Sequence, residues 1–152
     1  MKTLLYAFYV VFVLDTHPEM MRRASQRADV YACAKDVAGT DASPGEGLRL
    51  MQIAALESGF YGKAHGKKGE TGPWQIMPPA TSFGAHEALR RMRGQGMVAY
   101  VGCRHASDVV VIEGTKTTCQ AMIDHRTLPA DAYLATHPAP PPPRPETELA
   151  AE

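Results

Sequence analysis

The 152-residue chain lacks an excess of charge of either sign, because 16 lysines and arginines balance 16 aspartates and glutamates. A nucleic-acid-binding protein normally carries a clustered positive surplus, so no nucleic-acid partner is expected. Setting aside the two basic and four acidic residues of the two ends leaves 14 basic and 12 acidic residues between 17 and 137. This slight positive surplus permits weak attraction to an anionic polymer.

Cysteine is scarce, and no CxxC or HExxH pattern occurs, so the sequence predicts neither a metal site nor a cofactor. The three cysteines are an odd number, which leaves at least one unpaired. Cys103 and Cys119 flank a predicted hairpin and would close a disulfide in an oxidising compartment; unpaired thiols are the alternative. Cys33 lies on a helical pattern and is expected to be a small buried apolar residue.

The chain also lacks an apolar run of the about 20 residues that a membrane-spanning helix needs. The run 4–14 follows Lys2 and resembles the charged and apolar regions of a secretory signal, although no A-x-A-like cleavage site follows it. Residues 1–16 are therefore predicted to be an export signal or a short anchor. A buried first helix or strand of the domain is the alternative.

The length leaves room for one domain with a modest core, which we assign to residues 17–137. Residues 138–152 are rich in proline and then acidic, which predicts a disordered or polyproline tail. Periodicity and turn signals predict a mainly α domain with one small hairpin. The expected elements are helices at 18–39, 44–58, 85–93 and from 97, a hairpin over 108–118, and two short helices at 119–126 and 129–135.

Glu57 is the first candidate for chemistry, because it ends a helix that is apolar nearly all round and precedes a loop, 61–72, rich in glycine and charge. Partial desolvation of a carboxyl group favours its neutral form, which can donate a proton. That is what a general acid needs to act on a glycosidic bond. Helix-end glutamates are common, so the neighbouring motifs decide the matter.

Three motifs resemble, in order, those of the lysozyme-like soluble lytic transglycosylases, and goose-type lysozymes share much of the pattern. They are Ala-Leu-Glu57-Ser58-Gly-Phe, Gly72-x-x-Gln75-Ile76-Met77-Pro78 and Ala99-Tyr100-x-Gly102. The resemblance covers roughly residues 44–105. It implies a lysozyme-like single domain that cleaves the glycan strands of peptidoglycan.

Residue by residue, the resemblance implies that Glu57 is the catalytic acid and that Ser58 supports the active site. Gln75 and Ile76 would shape the floor of the sugar cleft, and the hydroxyl of Tyr100 would reach toward the acid. The pattern departs from the family at Pro73-Trp74, where Leu-Met is usual, and at Val101, where Asn is usual.

Trp74 has two interpretations, stacking on a sugar ring as a substrate-binding residue or packing in the core. Glu70, in the loop after Glu57, is the nearest candidate for a second carboxylate and is also a candidate substrate-binding residue. Its setting among glycines and lysines favours a solvated loop charge.

The absence of a convincing second carboxylate favours a lytic transglycosylase over a lysozyme-type hydrolase. In a transglycosylase the substrate's own 6-hydroxyl captures the anomeric carbon, so one carboxyl serves first as acid and then as base. Inverting hydrolases need a second carboxylate to activate water. A catalytically silent glycan-binding module is the alternative of another class, and a small membrane-tethered structural protein is a third.

The expected partner is the glycan strand of peptidoglycan. The protein is expected to be a monomer that associates transiently with the membrane through its N-terminus. The expected location is the periplasm, the cell envelope or the exterior, and a phage-encoded lytic factor fits the same features.

Overall fold

The computed structural model describes residues 2–141, in which helices dominate and a single antiparallel hairpin is the sheet. This confirms the predicted mainly α class with one small hairpin. Residues 142–152, most of the predicted tail, lie outside the described residues. The elements in chain order are α1 (Lys2–Thr16), a 3₁₀ turn (Pro18–Met21), α2 (Ala24–Ala38), α3 (Pro44–Ser58), α4 (Ala85–Tyr100), β1 (Val109–Ile112), β2 (Thr115–Thr118) and α5 (Cys119–Thr136).

Helix α3 is the central helix, as predicted, and both of its ends are capped. The Ser43 hydroxyl accepts from the Glu46 N–H at 3.2 Å, and the Glu46 carboxylate accepts from the Ser43 N–H at 3.1 Å. Gly59 ends the helix in the left-handed region, at φ 60°. The fully buried large side chains of α3 are those of Leu48, Leu50, Met51 and Ile53. These features fix the direction in which the C-terminal end of α3 presents Glu57.

Helix α1 shares the core with α3. Tyr9, Phe12 and Val13 are fully buried, and a Cβ at Gly47 on α3 would overlap the Tyr9 ring. Helix α1 therefore packs into the same core as the helices of the predicted domain, as a buried first helix would. Within residues 2–141, no helix combines the length and apolarity needed to cross a bilayer.

The single helix predicted over 18–39 is wrong at its start. A 3₁₀ turn over Pro18–Met21 comes first, and Arg23 adopts an extended backbone (φ −86°, ψ 133°) before α2 begins. The Arg27 guanidinium donates to the Met21 carbonyl at 2.8 Å, which satisfies an acceptor at the end of the turn. The two helices predicted at 85–93 and from 97 are one helix, α4, with a kink at Gly96, where φ is 74°.

The two short helices predicted at 119–126 and 129–135 are one continuous helix, α5. Pro129 lacks an N–H, so the carbonyl of His125 has no donor one turn ahead. The side chain of Gln52 on α3 supplies it, with Nε2 donating to that carbonyl at 2.8 Å. A tertiary contact therefore compensates for the proline, and such a contact is invisible to a local pattern.

The hairpin and the disulfide are confirmed. Val109 pairs with Thr118 and Ile112 with Thr115, across a turn whose Glu113 and Gly114 both have positive φ. Cys103 and Cys119 are joined, which ties the chain before the hairpin to the start of α5. Cys33 is a free, buried cysteine, as expected.

Glu87 on α4 makes stability sensitive to acid, because Arg90 Nη2 lies 2.6 Å and Arg91 Nε 2.9 Å from its Oε1. The hydrogen bond from Arg90, and then that from Arg91, lowers the pKa of Glu87 from 4.5 to about 2. A carboxyl whose pKa is lower in the folded state stabilises the fold above its unfolded pKa, and this contribution disappears as the pH falls through the folded value.

We therefore expect Glu87→Gln to have a shallower decline in unfolding free energy than wild type as the pH falls from 4.5 toward about 2. Urea unfolding near neutral pH and at low pH measures the difference, with Glu113→Gln, at an exposed turn residue, as the matched control. Equal pH dependence in wild type and Glu87→Gln would contradict the role of the ion pairs.

Candidate active-site cleft

A cleft of about 410 Å³ opens where the C-terminal end of α3 meets the 66–77 loop, the end of α4 and the middle of α5. It brings together four of the predicted site residues. The lining residues are Glu57, Gly66, Lys68, Glu70, Gln75, Met77, Tyr100, Val101, Gly102, Met122 and Arg126.

Glu57 is held by Arg126, a residue that no sequence motif predicted for the site. Arg126 Nε and Nη2 lie 3.0 and 2.9 Å from the same carboxylate oxygen, Oε1. Arg126 Nη1 donates to the Met122 carbonyl at 2.9 Å, so the guanidinium is fixed to its own helix. The Glu57 side chain is 22% exposed and the Arg126 side chain is 13% exposed. Charge-assisted hydrogen bonds of this length fix the orientation of a carboxylate.

The second oxygen of Glu57, Oε2, is free to meet a ligand. Of the residues in the described range 2–141, none donates a hydrogen bond to it, and the side chain lines the cleft. A carboxylate with one oxygen anchored and the other open can accept or deliver a proton at a defined point.

Ser58 follows Glu57 on α3 and lies outside the residues that line the cleft. Its Oγ lies 2.7 Å from the Pro73 carbonyl and 3.2 Å from the Ala54 carbonyl. The hydroxyl thereby ties the loop after α3 to the last turn of α3, next to Glu57.

Trp74 and Ile76 belong to the core, so a direct role for them in substrate binding is wrong. Trp74 is 1% exposed, and its Nε1 donates to the Leu50 carbonyl at 2.8 Å. Ile76 is 2% exposed and shapes the loop through its backbone, which pairs with Thr71. A ring without exposed surface cannot stack on a sugar, and the core interpretation of Trp74 is the correct one.

Tyr100 lines the same cleft as Glu57, but its hydroxyl makes its hydrogen bond to a backbone carbonyl and not to the acid. It donates to the Trp74 carbonyl at 2.9 Å, because a buried hydroxyl needs a partner and this carbonyl supplies it. Burial and, second, the negative charge of Glu57 raise the pKa of Tyr100 well above its ordinary value. Tyr100 therefore contributes a neutral wall to the cleft.

Gln75 and Glu70 line the cleft in constrained positions. Gln75 has a φ of 47°, which is strained for a residue other than glycine, and its Nε2 donates to the Gly72 carbonyl at 2.9 Å. Glu70 Oε2 accepts from the Lys68 N–H at 2.9 Å, and a Cβ at Gly66 would collide with the Glu70 carboxylate. The structure thus places a second carboxylate in the cleft and packs it closely against the loop backbone.

No group of three or more potential metal ligands lies together within residues 2–141. The charged groups that line the cleft are the carboxylates of Glu57 and Glu70, the fixed guanidinium of Arg126 and the ammonium of Lys68. Comparisons with known proteins add no family to this description: no family model, no curated protein and no solved structure matches the chain.

Proposed function

We propose that the chain is a lysozyme-like domain that cleaves the glycosidic bonds of peptidoglycan glycan strands, with Glu57 as the general acid and then the base. The observation that carries the proposal is the open Oε2 of Glu57 in a cleft, beside an Oε1 that Arg126 anchors. The order of the three sequence motifs supports it. A cell-envelope or secreted location follows from that substrate.

The proposed reaction begins with a proton on Glu57 Oε2, which passes to the leaving glycosidic oxygen as the bond to the anomeric carbon breaks. The substrate's 6-hydroxyl then attacks that carbon and gives its proton to the carboxylate, which closes a 1,6-anhydro ring. The proton count balances, since Glu57 ends as it began. Arg126 stabilises the carboxylate that exists between the two steps.

A lysozyme-type hydrolase is the second candidate, and the position of Glu70 favours it. Glu70 lines the same cleft as Glu57 and is held by the Lys68 N–H. In an inverting hydrolase this carboxylate would activate the attacking water, which requires about 6.5 to 9.5 Å between the carboxyl groups.

Product analysis separates these proposals. Purified protein is incubated with peptidoglycan and the fragments are examined by mass spectrometry. Anhydro-muramyl ends would support transglycosylation, and reducing ends would support hydrolysis. Binding to peptidoglycan without turnover would contradict both and favour a silent glycan-binding module.

Arg126→Gln is expected to lower the rate by roughly 10- to 100-fold, because Glu57 loses the group that orients it. Rates measured on soluble glycan strands test this effect. The control is Lys68→Gln, which removes a cation from the same cleft without touching the Arg126–Glu57 pair. A wild-type rate in Arg126→Gln would contradict the orienting role of Arg126.

A further inference from the structure

We propose that Gln52, which lies outside the cleft, is a positioning residue for Glu57; this inference rests on the proposed function. Gln52 is 3% exposed on α3, five residues before Glu57. Its Nε2 donates to the His125 carbonyl on α5 at 2.8 Å, and the next residue of α5, Arg126, binds Glu57. Two positions of α3 thus bind two consecutive residues of α5.

The link exists because of Pro129. In an uninterrupted helix, the N–H of residue 129 would satisfy the His125 carbonyl, and a side chain from another helix would not be needed there. The missing N–H turns an intrahelical hydrogen bond into one that joins α3 to α5. A shift of α5 along α3 would break this hydrogen bond and leave the buried Gln52 amide without its partner on α5, which opposes such a shift.

His17 fixes the orientation of the Gln52 amide. Because the amide nitrogen donates to His125, its Oε1 is the acceptor toward His17 Nε2, 2.7 Å away, and that ring nitrogen carries the hydrogen. The His17 ring lies edge-on to Phe12, at 6.4 Å between centroids. Both ends of the Gln52 side chain are therefore held.

The consequence for the proposed reaction is a defined register between Arg126 and Glu57. Because Gln52 touches neither the cleft nor a substrate in it, its removal should disturb the placement of the acid and not the grip on the glycan. Gln52→Met, which keeps the size and removes the hydrogen bonds, is expected to lower kcat by roughly 10- to 100-fold with KM unchanged.

A loss of stability in Gln52→Met would confound this result, and Pro129→Ala removes the difficulty. The substitution restores a backbone N–H that can satisfy the His125 carbonyl inside α5, without restoring the link to α3. In the double variant Gln52→Met/Pro129→Ala, the unfolding free energy should recover while kcat stays low. Recovery of kcat together with stability would overturn the proposal, since Gln52 would then act only on the fold.

Two further measurements complete the test. In an Arg126→Gln background, Gln52→Met should lower kcat no further, because both changes act on one pair; an additive loss would overturn the proposal.

The Arg126 Nε–H resonance, recorded by NMR without substrate, should move between wild type and Gln52→Met/Pro129→Ala. An unmoved resonance overturns the proposal even if the protein is inactive. A moved resonance in an inactive wild type would leave the positioning intact and reject the proposed function.

Discussion

Glu57→Gln is expected to lower the rate of glycan cleavage by about 10²- to 10⁴-fold, the range that a general acid–base group contributes. The amide keeps the shape of the side chain and one acceptor for Arg126, but it cannot deliver or take up a proton at the position of Oε2. Folding should be nearly unaffected, since the side chain lies at the cleft surface and is 22% exposed. The loss should appear in kcat, measured on soluble glycan strands, with KM little changed.

The matched control is Glu70→Gln, the same chemical change in the same cleft. A transglycosylase needs one carboxyl group, so this variant should keep most of the activity and the anhydro products. A loss comparable to that of Glu57→Gln would instead assign Glu70 as the base of a hydrolase. If Glu57→Gln retained wild-type activity, the proposed mechanism would be abandoned, whichever products formed.

The structural features that the sequence predicted correctly are those set by local chemistry. The Ser43–Glu46 capping box and the left-handed Gly59 are signals read within a few residues, and they fix both ends of α3. Glu57 therefore lies where the pattern put it, at the end of a buried helix that opens on a glycine-rich loop. The hairpin followed from the same kind of signal, a Glu113-Gly114 turn.

The parts that the sequence did not predict depend on contacts between distant segments. Arg126 lies 69 residues from Glu57, and nothing in its local pattern marks it as the partner of an acid. Trp74 had no local feature to decide between a sugar and the core; the Leu50 carbonyl, 24 residues away, decided it. Pro129 ends a helix by local rules, but the side chain of Gln52 compensates for its missing N–H.

Phe12→Ala is expected to destabilise the protein by about 3 to 5 kcal/mol, the largest effect on stability that we predict. The ring is fully buried and contacts Tyr133 of α5 edge-on, at 5.1 Å between centroids. Its removal leaves a cavity between α1 and α5. Because both helices pack closely against α3, they cannot readily move together to fill it. A loss of this size is a large part of the about 5 to 15 kcal/mol by which a typical domain is stable. Urea unfolding measures it directly.

The control for Phe12→Ala is Leu4→Ala, on the same helix but 55% exposed, which should change stability by no more than about 0.5 kcal/mol. The contrast between the two variants tests whether α1 belongs to the folded domain. If the N-terminal segment were only an export signal or an anchor, substitutions at residues 4 and 12 would have similar effects on stability. If α1 is a helix of the domain, the two effects differ, because one face of α1 supplies Tyr9, Phe12 and Val13 to the core that it shares with α3. Equal, small effects from both substitutions would show that α1 is dispensable for the fold, and would return it to the role of a signal or anchor.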